Sequence, residues 1–196
     1  TPIENKKKLK LINNDTIRIL HLGHLRGTTS INSFKYMLFN FIPELIKILG
    51  NRKIEINVVG PYSKNMLDAF PQIKNEISKY KFIRFVGPVF PVEKAFLKND
   101  LLLVCNEISL GVRIRILTAF SFGFPVVTNK SNKFGIPEIK NLNNCLVGNN
   151  AKELAKKCLL IKKNPKISKI ISKNSIELQK KKFSFSNFES FVNTFF

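Results

Sequence analysis

The feature that most constrains this chain is an alternation. Short apolar runs recur along it, the first three stopped by Gly or Gly-Pro, and between them lie longer stretches with helical spacing. Ile17 to Leu22 (IRILHL) ends at Gly23, Ile54 to Val59 at Gly60-Pro61, and Phe82 to Val86 at Gly87-Pro88. Leu101 to Cys105 and Pro125 to Thr128 complete five predicted strands, and Cys145 to Val147 reads as a sixth. The spacing predicts a helix from a cap at Asn32 or Ser33 to Leu49, closed by Gly50 and kinked or split by Pro43. Further helices are expected at Asn65 to Tyr80 (disturbed by Pro71), Val92 to Lys98, Gly111 to Phe122 (stopped by Gly123), and from Ala151 onward with a break at Asn164-Pro165. Strands alternating with helices over short connections imply an α/β fold, a parallel sheet covered by helices on both faces. The runs are nearly continuously apolar, as strands buried on both faces should be.

A chain of 196 residues has room for one full core, and neither an internal repeat nor a linker rich in Gly, Ser or Pro divides it. One Rossmann-like domain over 1–196 is the economical reading, with a polar leader over about 1–14 and C-terminal helices over about 165–196. There is no run of eighteen apolar residues and no signal-peptide pattern, which points to a cytoplasmic protein. Cys105, Cys145 and Cys158 are odd in number and lack knuckle or CxxC spacing, so they read as buried, reduced thiols. With His21 and His24 the only histidines, no metal site is expected.

The net charge of +20 attracts anions but names none. The lysines are spread over the chain, with modest runs at Lys6 to Lys8 and Lys180 to Lys182, in a composition also heavy in Asn, Ile and Phe, as AT-rich coding produces. No nucleic-acid motif accompanies them, so nucleic acid is set aside as a partner; contact with an anionic membrane surface is compatible with the charge.

In a parallel sheet of this kind ligands sit beyond the carboxyl ends of the strands, near the switch in strand order. That singles out three loops: Gly23 to Ser30, Gly60 to Lys64 and Asn106 to Arg115. Two of them carry Gly beside cationic and hydroxyl residues, the chemistry of an anion site at a helix N-terminus.

The segment Asp100 to Ile136 (DLLLVCNEISLGVRIRILTAFSFGFPVVTNKSNKFGI) resembles the signature of the GT-B glycosyltransferases, in particular the family 4 retaining enzymes. Asp100, Gly111, Arg115, Ala119, Gly123, Pro125, Val126, Val127 and Gly135 stand at the matching places. Weaker matches extend upstream to Val58-Val59-Gly60 and Phe85-Val86-Gly87, and downstream to Asn144 to Val147 and Phe183 to Phe185. The resemblance implies the nucleotide-sugar-binding half of a two-domain transferase, with an N-terminal acceptor domain outside this sequence, a nucleotide-diphosphate sugar as substrate and no metal. It further implies that Arg115 neutralises the departing diphosphate, which a fixed cation does by stabilising charge that grows in the transition state. Arg26 falls near the family's other phosphate-binding cation, Gly23, Gly27 and Gly60 let the loops approach the pyrophosphate, and Thr28 and Gly111 offer further contacts. Arg113 could assist, although spacing within one helix would point it away from Arg115. Two departures stand out: where the family has two Glu, this chain has Leu110 and Thr118. Thr118 can bond a hydroxyl without the strength of a carboxylate, and Glu107 could substitute for the first Glu through a shifted loop. The alternative reading is a degenerate, non-catalytic nucleotide-binding or partner domain on the same fold.

Overall fold

The computed structural model describes residues 15–61, 64–106, 108 and 111–184. Six strands form one parallel sheet: β1 (Ile17–Leu22), β2 (Ile54–Val59), β3 (Ile83–Gly87), β4 (Leu101–Val104), β5 (Val126–Asn129) and β6 (Leu146–Gly148), in the order β3-β2-β1-β4-β5-β6. The order reverses between β1 and β4, where Ile19 pairs with Leu101 and Leu20 with Leu102. The helices are α1 (Thr28–Tyr36), α2 (Ile42–Leu49), α3 (Lys64–Ala69), α4 (Pro71–Ser78), α5 (Glu93–Leu97), α6 (Ile114–Ser121), α7 (Ala151–Lys163) and α8 (Pro165–Lys182). All six predicted strands are present, each within a residue of its expected bounds.

Strand side chains alternate between two cores, because successive residues of a strand face opposite sides of the sheet. Ile19, Ile56, Leu101, Leu103 and Val127 pack with Phe34, Met37, Phe41 and Leu45 from the α1–α2 segment and with Leu154, Cys158 and Ile161 of α7. Leu20, Leu102, Val104 and Val126 pack on the other face with Phe96 of α5, Ile116, Ala119 and Phe120 of α6, and Phe124. Helix α8 serves both: Ile171 belongs to the first core, and Leu178 leans on the second. It passes close by Gly123, where a Cβ would lie 2.6 Å from Ile176 Cδ1. Cys105, Cys145 and Cys158 are all buried free thiols. Edge strand β3 departs from the expected apolar run, its residues alternating half-buried and exposed, since only β2 pairs with it.

The prolines act as expected. The first long helix is split, with a π-helical turn over Met37–Phe41 just ahead of Pro43 in the first turn of α2. Widening the helix there accommodates a residue that lacks an N–H and crowds the preceding carbonyl. Pro71 likewise opens α4. Two helix starts differ from expectation. Helix α1 begins at Thr28, four residues before the expected caps, because Gly27 (φ 77°) turns the chain and its carbonyl accepts from the Ile31 N–H. Helix α6 begins at Ile114 rather than Gly111; Gly111 (φ 72°) is in the left-handed region, and Arg113 caps the helix in a non-helical conformation.

At the amino end of the sheet, Asp100 ties three elements together. Its Oδ2 accepts from the Arg18 N–H of β1 (2.8 Å) and from Lys162 Nζ of α7 (3.2 Å), and its own N–H donates to the Arg18 carbonyl. This gives the first residue of the matched segment a structural role.

Candidate functional site

The loops beyond β1, β2, β4 and β5 are packed on one another by glycines. A Cβ on Gly60 would lie 2.3 Å from the Gly23 carbonyl oxygen, and one on Gly135 would lie 2.2 Å from that of Gly111. No side chain fits at either contact, so Gly60 holds the loop after β2 against the loop after β1. Gly135 does the same between the loops after β5 and β4. The close approach is reinforced by the Gly23 N–H donating to the Val59 carbonyl and by Ser131 Oγ donating to the Asn106 carbonyl.

Between these two contacts lies Arg115, on the first turn of α6. Its Nη1 donates to the Leu22 carbonyl at the end of β1 (2.9 Å) and its Nη2 to Asn106 Oδ1 just past β4 (3.1 Å). Gly23 is adjacent, where a Cβ would sit 3.1 Å from Nη1. Arg115 thus bridges β1 and β4 at the switch in strand order, and both anchors are neutral oxygens. Arg115 Nε, with Nε and Nη2 of the neighbouring Arg113, are buried N–H groups with no partner. Burial lowers the pKa of both guanidiniums, and Arg113 depresses that of Arg115 further by repulsion, an effect that Cys105 opposes. Since Arg113 precedes the helix, the expected divergence of the two side chains along one helix does not apply.

His21, on β1, is 1% exposed, and its Nδ1 has no partner. Burial first, and the Arg115 charge second, push its pKa down to about 3, so it is neutral at physiological pH. Among the described residues eight buried side-chain N or O atoms lack a partner. All but Asp100 Oδ1 belong to His21, Ser33, Arg113, Arg115, Asn129 and Asn132, on or beside the carboxyl ends of β1, β4 and β5. Buried polar groups are nearly always satisfied in folded proteins, so such a cluster makes this end of the sheet the candidate place for a ligand.

The remaining expected residues divide. Gly27 and Thr28 open α1 without a side-chain cap, leaving the first amides of that helix facing the same end of the sheet. Arg26 is exposed, with no partner among the described residues. Thr118 Oγ1 donates to the Ile114 carbonyl of its own helix (3.0 Å), which leaves only its lone pairs for a ligand hydroxyl. Glu107 and Leu110 lie outside the described residues. The sequence reading missed Asn106, His21 and Asn132; a polar residue directly after a run of buried apolar ones was the available signal for Asn106. Among the described residues no three His, Cys, Asp or Glu side chains are grouped to hold a metal ion, and no helix is long and apolar enough to cross a membrane.

Ile108, Val112, Ile114 and Phe134, in the segments after β4 and β5, and Phe90 after β3 are exposed. Large apolar side chains around a polar centre mark a surface for a partner or ligand.

Comparison with known proteins places this geometry. The family model for glycosyl transferases group 1 matches residues 16–164. No curated protein is significantly similar in sequence. Among solved structures, Anabaena Alr3699/HepE in complex with UDP and glucose superposes with a TM-score of 0.75 at 15% identity, over 92% of this chain and 48% of that one. A glycosyltransferase from Rickettsia africae gives 0.70 at 16% identity, over 89% and 45%. The C-terminal domain of the glycosyl transferase group 1 protein LpcC from Francisella tularensis gives 0.67 at 17% identity, over 94% and 95%. The chain therefore spans about half the length of HepE and nearly all of the isolated LpcC domain. With the sheet order, the switch-point arginine and a family match over three-quarters of its length, the chain belongs to the glycosyl transferases group 1 family and has a Rossmann-like fold of the GT-B type.

Proposed function

We propose that this chain is the donor-binding half of a glycosyltransferase, holding a nucleotide-diphosphate sugar while a second domain presents the acceptor. The observation that carries the reading is the pair Arg113 and Arg115, with three buried guanidinium nitrogens that nothing among the described residues satisfies. An unpaired buried N–H is costly, and a charged one more so; a diphosphate offers the acceptor oxygens and the negative charge that satisfy both. The free amides of α1 and the glycine-packed loops give the diphosphate a second wall. HepE has been crystallised with UDP-glucose, which supports a nucleotide-sugar as the ligand class. In the proposed reaction the sugar leaves the diphosphate for an acceptor hydroxyl, and Arg115 stabilises the charge left behind. The exposed apolar rim suits the face toward the acceptor domain, so this domain alone binds donor without turning it over. The charge of +20 adds attraction to acceptors at an anionic surface.

A second reading, a binding domain that has lost catalysis, is favoured by Thr118, whose hydroxyl proton is committed to its own helix where the family has a Glu. Titration with UDP, GDP, ADP, inorganic pyrophosphate and short single-stranded DNA at two salt concentrations tests both. The donor reading expects saturable binding of one nucleoside diphosphate that persists at the higher salt. Weak binding of every anion, fading together as salt rises, would sink it.

A further inference from the structure

Resting on the donor reading, the geometry points to Asn106 as a positioning residue that aims Arg115 without neutralising it. The guanidinium is fixed at two points: Nη1 on the Leu22 carbonyl and Nη2 on Asn106 Oδ1. These anchors come from the ends of adjacent strands, so the plane of the group is set by the sheet itself. Asn106 is in turn immobile: it is 2% exposed, and its carbonyl accepts from Ser131 Oγ beyond β5. Asn132 braces the same corner by donating to Thr128 Oγ1 (2.8 Å) and to the Val104 carbonyl (3.4 Å).

The chemical character of the anchors matters as much as their placement. A buried Arg is ordinarily held by a carboxylate, which would orient it equally well and cancel its charge. Here, among the described residues, no carboxylate touches Arg115; a main-chain carbonyl and a side-chain amide orient it instead. Nη1 and Nη2 are used for orientation, Nε is left unpaired, and the full positive charge is kept for the ligand. An amide at 106 is therefore required in two respects: Ala would lose the aim, and Asp would keep the aim and lose the charge.

The test is a double-mutant cycle on the chain, with UDP as the probe and calorimetry or fluorescence as the readout. Asn106→Ala should weaken UDP binding about tenfold in the wild-type background. In an Arg115→Ala background the same change should cost about twofold or less, because Asn106 acts through Arg115. Asn106→Asp, which preserves volume and the acceptor and guards against misfolding of the Ala variant, should weaken binding at least as much as Asn106→Ala. Equal losses in both backgrounds, an unchanged affinity for Asn106→Ala, or wild-type binding by Asn106→Asp would each overturn this role while leaving the donor reading intact. Equal UDP affinity for wild type and Arg115→Ala would overturn the donor reading itself, and this role with it.

Discussion

Asp100 is a buried charge at the amino end of β4 and Arg115 a half-buried one beyond its carboxyl end, and the chain treats them differently. Asp100 sits at the amino end, 2% exposed, with a cation from α7 and a main-chain N–H from β1 on the same oxygen. Arg115 sits at the carboxyl end with two neutral acceptors, an unpaired Nε and a second cation beside it. Among the described residues, only Oδ1 of Asp100 lacks a partner at its end, whereas Arg115 and five other residues carry unsatisfied groups toward the carboxyl ends of the strands. On the proposed function, the difference is between charge that holds the fold, paired internally, and charge kept for a ligand, oriented but left open.

The largest effect expected from breaking this contrast is at the paired end. Asp100→Ala removes the carboxylate that Lys162 and the Arg18 N–H bond to, and removing one partner of a buried pair costs about 3–5 kcal/mol. Denaturant unfolding reads this directly; a loss below about 1 kcal/mol would mean that the pair contributes little.

The next effect is one of pH. The folded pKa of His21 is depressed from 6.5 to about 3, so as pH falls below 6.5 the unfolded chain takes up a proton that the folded one refuses. Stability should decline by about 1.4 kcal/mol per pH unit from this group alone, beginning near 6.5 and levelling off near 3. His21→Leu should remove that share of the slope between pH 6.5 and 4.5. Parallel unfolding curves for wild type and variant over that range would contradict the neutral, buried imidazole.

A smaller effect sharpens the open end. Thr118 stands where the family has a Glu and donates into its own helix. Thr118→Glu should restore a charge-assisted acceptor for ligand hydroxyls and tighten UDP binding about tenfold. No gain, or a loss, would show that the ribose of the ligand does not reach this face of α6.

The sheet was legible because buried parallel strands are apolar runs, and every run stopped by Gly or Pro became a strand. Arg115 was legible through its place in a motif. What surrounds it was not: the Leu22 carbonyl is 93 residues away in sequence, and no local pattern says which carbonyl a guanidinium will reach. Nor does a glycine show its purpose in sequence. Gly60 read as a strand stop and Gly135 as a motif position, yet each is required by another glycine's backbone pressed against it. Helix starts were misplaced at Thr28 and Ile114 for one reason: a glycine with positive φ reset the chain just before each. For Arg113 that error mattered, since a helix begun at Gly111 would have turned its side chain away from Arg115.

If half-buried Arg115 is kept for a ligand and not for the fold, side-by-side measurement of UDP affinity and urea stability in wild type and Arg115→Ala tests this most directly. The account expects UDP affinity to fall by roughly 10- to 100-fold, the loss of charge-assisted phosphate contacts. Stability should stay within about 1 kcal/mol of wild type or rise, because a half-buried charge with no carboxylate partner among the described residues has been removed. Unchanged UDP affinity, or a stability loss as large as that of Asp100→Ala, would contradict it.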